Sequence, residues 1–407
     1  MKWFLLFVSV LFFSCNQSEK VSKSSDWELL FNEQNFNNWE VRNGTAEYMI
    51  EEKELVGTSK LNIPNTFLCT KKMYDDFILE LELKVDQPLN SGIQIRSNSI
   101  PTYQDGRVHG YQVEVDPSPR AFSGGIYDES RRGWIYPLCE NSAGRKGFKN
   151  GTWNKYRIEA IGSSIRVWVN GIQTANLRDD LTAKGFIGLQ VHGIGKDSSM
   201  IGKTVRWRNI KIATNNLEKL QTPDDGKIPE INLVPNQLSD REKENGYISY
   251  LDKSEKILLK EGESIGFESV ENFDLKFEFK ISKNSAGGIE YFSNKKNEKC
   301  IFQIINNDSL SKEEQKGNQS LASLKGIVAS QNLCVPRRHR DFRGLGNWNT
   351  GRIIVQNGKI EHWMNGYKMV EQEISELNLN WRSGNHQISI KNNLGEVHFR
   401  SIRLKKL

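Results

Sequence analysis

The chain has 407 residues and sets 56 Lys plus Arg against 50 Asp plus Glu, a formal net charge of +6. Spread over 46.7 kDa, that excess is too dilute for a dedicated nucleic-acid binder, and the length suits two or three domains. A hydrophobic content of 37% at a mean hydropathy of −0.59 excludes a polytopic membrane protein, while an aromatic content of 10% excludes a disordered chain.

Residues Met1 to Ser14, MKWFLLFVSVLFFS, place one lysine before an apolar run too short to span a bilayer, and a polar stretch follows Cys15. That is the three-part pattern of an export signal. The Ser14-Cys15 junction resembles a bacterial lipobox, although Phe12 departs from it. Cys15 is therefore expected to carry lipid and tether the protein to a membrane of the cell envelope, in the periplasm or at the outer-membrane surface. The other cysteines, Cys69, Cys139, Cys300 and Cys334, show no zinc-ligand spacing. Each half of the chain holds two, which allows one disulfide per half, but buried free thiols are the simpler expectation.

Past the leader (1–25) the chain repeats itself. FILELELKV from Phe77 returns as FDLKFEFKI from Phe273, and SGIQI from Ser91 as GGIEY from Gly287. GTWNKYRI from Gly151 returns as GNWNTGRI from Gly346, IRVWVNG from Ile165 as IEHWMNG from Ile360, and VRWRNIKI from Val205 as VHFRSIRL from Val397. All five keep their order at spacings of 192 to 196 residues, so the chain is a tandem duplication. The first copy spans 26–214 and the second 236–407. Between them, 215–235 carries Pro223, Pro229 and Pro235 and reads as an irregular linker. Ser239 to Glu242 has capping-box spacing before a short polar helix.

In FILELELKV, Phe77, Leu79, Leu81, Leu83 and Val85 share one face, and Glu80, Glu82 and Lys84 a solvated one, the pattern of a half-buried strand. IRVWVNG buries Ile165, Val167 and Val169, with Asn170-Gly171 as a hairpin turn. Many such strands and little helical periodicity predict an all-β protein, two antiparallel β-sandwiches in tandem.

The outer faces of the first copy carry chemistry. GYQVEVD from Gly110 turns Gln112, Glu114 and Asp116 outward, GFIGLQVH turns out Gln190 and His192, and SGIQIR turns out Gln94 and Arg96. If these strands are neighbours, carboxylates, an imidazole, a guanidinium and amides share one face, a set suited to a polyhydroxylated ligand. RAFSGGIYDESRRGWIYPL, read as a Gly-rich loop, offers Tyr127, Asp128, Arg131, Arg132, Trp134 and Tyr136, rings for a sugar's apolar face and polar groups for its hydroxyls.

WELLFNEQNFNNWEV from Trp27, NSGIQIR, GYQVEVDPSPRAFSGGIYDESRRGW, GTWNKYRI, VWVNG, IGLQVHG and VRWRNIKI together resemble the 3-keto-disaccharide hydrolase family. The resemblance implies a concanavalin A-like lectin/glucanase sandwich, or jelly roll, and action on oligosaccharides or glycosides oxidised at C3. A C3 ketone acidifies the C2 proton, so a base can remove it and expel the C1 substituent, after which water adds back. On that chemistry His192 is the base or a metal ligand with Glu114 as its partner, a divalent metal ion is an optional cofactor on the same two residues, and Arg132 or Arg96 steadies the oxyanion.

Two other readings stand beside it. Glu114 and Asp116, two apart on one strand, could form the carboxylate pair of a retaining glycosidase. A non-catalytic glycan-binding surface protein would also use this scaffold. The second copy resembles the family less fully: Lys391 stands for Gln190 and Asn393 for His192, and IFQIIN replaces YQVEVD without a carboxylate, although Glu361 and His362 are present. That copy is expected to bind or buttress. PRRHRDFR near its middle is expected to be an exposed loop, with no nucleic-acid partner.

Overall fold

The computed structural model describes residues 26–235, 237–250, 256–293, 299–334, 341–377 and 386–407; Cys15 with its leader, and 335–340 of the basic run, lie outside these. The described chain forms two β-sandwiches, one per repeat. Among the described residues all strand pairings are antiparallel except the one made by Ile231–Asn232. This is the all-β tandem jelly-roll architecture expected.

In the first sandwich one sheet runs in the order Gly133–Tyr136, Ile126–Glu129, His109–Val115, Ser91–Asn98, Phe186–Val191, Thr66–Thr70 and Trp39–Arg42. The other is centred on Phe77–Val85, flanked by Asn154–Ile161 and Thr204–Ala213. Phe77, Leu79, Leu81, Leu83 and Val85 meet Ile93, Ile95, Val113, Val115 and Leu189 between the sheets, all 2% exposed or less. Each such side chain contributes about 1.5–3 kcal/mol by leaving water, so a one-residue slip, which would swap the faces, is strongly disfavoured. That register fixes which residues face outward.

The outer face of Phe77–Val85 departs from a plain solvated one. Glu80 is buried, held by Arg157 (2.7 Å), Lys211 (3.1 Å) and Lys155 (3.3 Å), because the two flanking strands each bring a cation beside it. Glu82 pairs with Arg208 at 2.7 Å and stays more exposed. The hairpin expected at Asn170-Gly171 forms with φ of 50° and 80°, and its duplicate Asn365-Gly366 with 50° and 79°, the positive pair that a tight two-residue turn needs.

The second sandwich keeps the sheet centred on Phe273–Ile281, but its other sheet has four strands: Ser264–Val270, His386–Leu394, Ala286–Ser293 and Lys299–Ile305. The hairpin that extends the first copy's front sheet has no counterpart there among the described residues. Ser239 caps Asp240–Glu244 and Glu242 bonds back, completing the capping box.

The segment between the copies is more ordered than its prolines suggest. Leu217–Leu220 is a short helix, and Ile231–Asn232 adds to Ile172–Arg178 as a parallel strand. Arg403 of the second sandwich donates Nη1–H to the Asn232 carbonyl (3.0 Å), and Arg352 reaches Glu140 of the first (3.0 Å). Cys139 and Cys334 lie near enough across this interface for their thiols to interact, so the cysteines approach each other between the halves and not within them. Cys69 and Cys300 are buried free thiols.

Candidate functional site

Three adjacent strands of the first sandwich build the site. Leu189 lies opposite Ile93, Gly92 opposite Glu114, and Gln94 opposite Gln112. One residue on from Leu189, Gln190 therefore shares a row with Gly92 and Glu114. A glycine in that row opens a trough, and the Gln112 side chain leans into it: a Cβ at Gly92 would lie 2.4 Å from Gln112 Cδ. His192 is two residues along from Gln190, so by strand spacing its Cα stands roughly 12 Å from that of Glu114. The trough is the floor of a cavity of about 690 Å³ lined by Gln112, Glu114, Gln190 and His192, with Tyr127, Asp128, Arg131, Arg132 and Trp134 as one wall. That volume lies in the range of small-molecule sites.

Glu114 accepts hydrogen bonds from Asn90 Nδ2 (2.7 Å) and Gln112 Nε2 (2.9 Å), and Gln112 Oε1 accepts from Gln94 (2.7 Å). Burial nonetheless dominates and pushes its carboxyl up to about 7, against these two bonds and Arg120 at 3.9 Å. His192 moves the other way: burial lowers its pKa from the ordinary 6.5. Its Nδ1–H donates to the Gly193 carbonyl at 2.8 Å, which leaves Nε2 as the lone-pair nitrogen. A carboxyl raised towards neutrality and an imidazole lowered from its ordinary value thus share one cavity. Gln190 is fully buried and neither of its amide atoms has a partner. An orphaned amide at a cavity wall costs stability unless a ligand completes it.

The segment read as a Gly-rich loop is a hairpin, Ile126–Glu129 with Gly133–Tyr136, that extends the sheet and turns its charged tip over the trough. Asp128 is its clamp: it takes Arg131 Nε (2.7 Å) and Arg132 Nε, and Arg132 also pairs with Asp179. Arg132 is thereby neutralised by two carboxylates. Trp134 lines the wall edge-on to Tyr127 (5.4 Å), and the Arg120 guanidinium lies over one face of its ring at 5.0 Å, so a cation already holds the place there that a sugar would stack on.

Arg96 and Asp116 are not brought to the cavity. A bulge between Ile95 and Asn98, with Arg96 at φ 46°, breaks the alternation and drives Arg96 to the sheet's end. There it bonds the Asp75 and Gly162 carbonyls and Asp76. Asp116 lies past the end of its strand at Val115 and organises the following turn, taking Arg120 Nε (2.7 Å) and the N–H groups of Ser118 and Phe122. It does not form a glycosidase pair with Glu114. Among the described residues no three His, Cys, Asp or Glu side chains converge closely enough to hold a metal, and both Glu114 oxygens are taken by amides.

Asn65, Asn90, Arg120 and Glu129 also line the cavity. Asn90 and Arg120 stood in the motifs NSGIQIR and DPSPRAF, but as flanks of the alternating strands they gave no period-two signal.

In the second sandwich, Gly288 pairs with Gln303 on one side and Lys391 on the other, so Gln303 takes the place of Glu114 and Lys391 that of Gln190. Glu290 bridges Lys299 (2.7 Å) and Lys391 (3.5 Å) on the same sheet. His362 is a core residue, bonded to Tyr291 Oη (2.6 Å) and the Ala322 carbonyl (3.0 Å), with its pKa pushed down to about 4 by burial. Glu361 pairs with Lys368 at 2.9 Å.

A duplicated sandwich with a polar, acid- and base-bearing trough in its first copy is the framework of a carbohydrate-active protein. The sequence matches the profile of the 3-keto-alpha-glucoside-1,2-lyase-like domain twice, over residues 26–213 and 236–405, and the chain belongs to that family. It is 25% identical over 187 residues to the 3-keto-disaccharide hydrolase of Bacteroides thetaiotaomicron, an alignment covering 36% of this chain and 62% of that protein's length. Among solved structures, it is similar to one described as a candidate glycosyl hydrolase from Parabacteroides distasonis (16% identity, 43% of this chain and 100% of that one, TM-score 0.34). It is also similar to the carbohydrate-binding module CBM66 from Bacillus subtilis (16%, 44% and 96%, TM-score 0.31).

Proposed function

We propose that the cavity of the first sandwich cleaves the glycosidic bond of 3-keto-disaccharides by elimination and rehydration. The observation that carries this reading is the placement of Glu114 and His192 on one cavity, where burial raises the pKa of the carboxyl to about 7 and lowers that of the imidazole. His192 Nε2 removes the C2 proton and the electrons pass into the C3 carbonyl as an enolate. The enolate collapses to a C1–C2 double bond as the C1–O bond breaks, and the Glu114 carboxyl gives its proton to the departing oxygen. Water then adds: Glu114 takes its proton back, hydroxide bonds to C1, and the imidazolium returns a proton to C2. The free 3-keto sugar leaves and both groups are reset. Gln190, with both amide atoms unpartnered, supplies hydrogen bonds to the sugar, and Asp128 holds Arg131 and Arg132 as a fixed wall.

The test is release of free sugar from a disaccharide oxidised at C3. Glu114→Gln and His192→Ala should each lower turnover about 10²-fold or more, the usual weight of one acid–base group. Unchanged turnover in either variant refutes the assignment. Retention of glycan by the wild type with no release makes the protein a lectin. We also propose that Cys15 anchors the chain in the envelope; Cys15→Ser should then move the protein from detergent to aqueous phase on partitioning, and no shift refutes it.

A further inference from the structure

The second sandwich reaches into the first one's cavity. Phe342 and Arg343, at the end of the run read as an exposed loop, line it alongside Arg107, Arg120, Arg131 and Arg132. The loop that carries Arg343 is built like its duplicate. The backbone N–H of Arg343 donates to Asn349 Oδ1, six residues on, at 2.9 Å, as that of Lys149 does to Asn154, five residues on, at 2.7 Å, so the second loop is one residue longer. In the first copy, however, the cation at this place is Lys149, exposed to solvent. The loop's anchor persists, while the cation of the second copy turns into its neighbour's site.

The other arginines of the cavity are neutralised. Arg120 pairs with Asp116 (2.7 Å), Arg131 with Asp128 (2.7 Å), Arg132 with Asp128 and Asp179, and Arg107 lies 3.8 Å from Glu129. Arg343 has no carboxylate within 4.0 Å among the described residues. It donates to the carbonyls of Trp348 (3.2 Å) and Trp134 (3.3 Å), and its buried Nε has no partner. Burial and Arg132 push its pKa down to about 10, against the longer-range pull of Glu278, Asp128 and Asp179, and it stays cationic at neutral pH. A part-buried cation with no carboxylate in direct contact, in a site whose other arginines are ion-paired, is completed by an anion that the ligand brings.

We infer that Arg343 is the anion-binding group of this site, and that the preferred saccharide carries a carboxylate, as a uronic acid does. The second sandwich is then part of the binding site and not only its support. This rests on the cavity being a saccharide site, but not on the chemistry proposed for it.

Calorimetric titration of the full chain with a glucuronyl-glucose disaccharide and its neutral glucosyl-glucose counterpart tests it. The wild type should bind the acidic ligand about tenfold tighter or more, the scale of one charge-assisted contact. Arg343→Gln should remove most of that preference while weakening the neutral ligand far less, and Arg343→Lys should keep part of it. The preference should also shrink as salt rises from about 50 to 500 mM, a readout that needs no variant to fold. Equal affinities in the wild type, no binding of either ligand, or an equal loss for both in the Gln variant would overturn the inference. Acidic preference without cleavage of any 3-keto substrate would instead sink the catalytic reading and leave this one standing.

Discussion

Replacing Glu114 by Gln should make the protein more stable at pH 8 and no more stable at pH 4.5. The carboxyl's value of about 7 lies above the ordinary glutamate value of 4.5, so the folded state favours the protonated form. Below pH 4.5 both folded and unfolded chains hold the proton, and there is no penalty. Between 4.5 and 7 the unfolded chain ionises first and stability falls with pH. Above 7 the cost levels off at about 3 kcal/mol, from roughly 1.4 kcal/mol per pH unit across that gap. Glutamine avoids it. The new amide would also present a donor to either Asn90 or Gln112, which already donate, a loss of about 1 kcal/mol that does not vary with pH. The change with pH therefore isolates the ionisation. Thermal melting at pH 5 and 8 should show the variant gaining about 5–10 °C on the wild type between the two conditions, at roughly 2–4 °C per kcal/mol for a domain of this size. An equal difference at both pH values would show that burial does not hold the carboxyl protonated, and with it the acid role would fall.

Turnover should be bell-shaped in pH: the alkaline limb falls near pH 7 as Glu114 ionises, and the acid limb falls below the ordinary histidine value of 6.5 as His192 protonates. A rate that rises through pH 7 would make Glu114 the base and reverse the roles. Gly92→Ala places a methyl 2.4 Å from Gln112 Cδ and should displace that amide from Glu114, costing about 1–3 kcal/mol of stability and at least tenfold in turnover; a crystal structure of the variant with the Gln112–Glu114 bond intact would refute this. Mild oxidation should link Cys139 to Cys334 within one chain, detectable by peptide mapping without reduction. If both thiols react with alkylating agents yet never cross-link, the interface that carries Arg343 is wrong.

Period-two patterning determined much of this protein by itself. The alternation in FILELELKV, GYQVEVD and GFIGLQVH reports which side of a strand meets the core, because burying five apolar side chains on one face leaves no choice of register. Hence the sandwich and the outward set of Gln112, Glu114, Gln190 and His192 were legible, and five segments recurring in order made the duplication so. The second copy's loss of the carboxylate was legible too, and strand pairing then put Gln303 in its place.

Only the tertiary structure decided the rest, since it turned on departures from alternation and on contacts between distant segments. A bulge removed Arg96 and a strand end removed Asp116, local breaks in the pleat that a residue pattern does not encode. Glu80 became buried because two other strands bring it three cations. Whether Glu114 is acid or carboxylate depends on how much water the fold excludes around it. And Arg343, some 200 residues from the strands it faces, joins their cavity only because two sandwiches pack against each other, a fact that no single repeat carries.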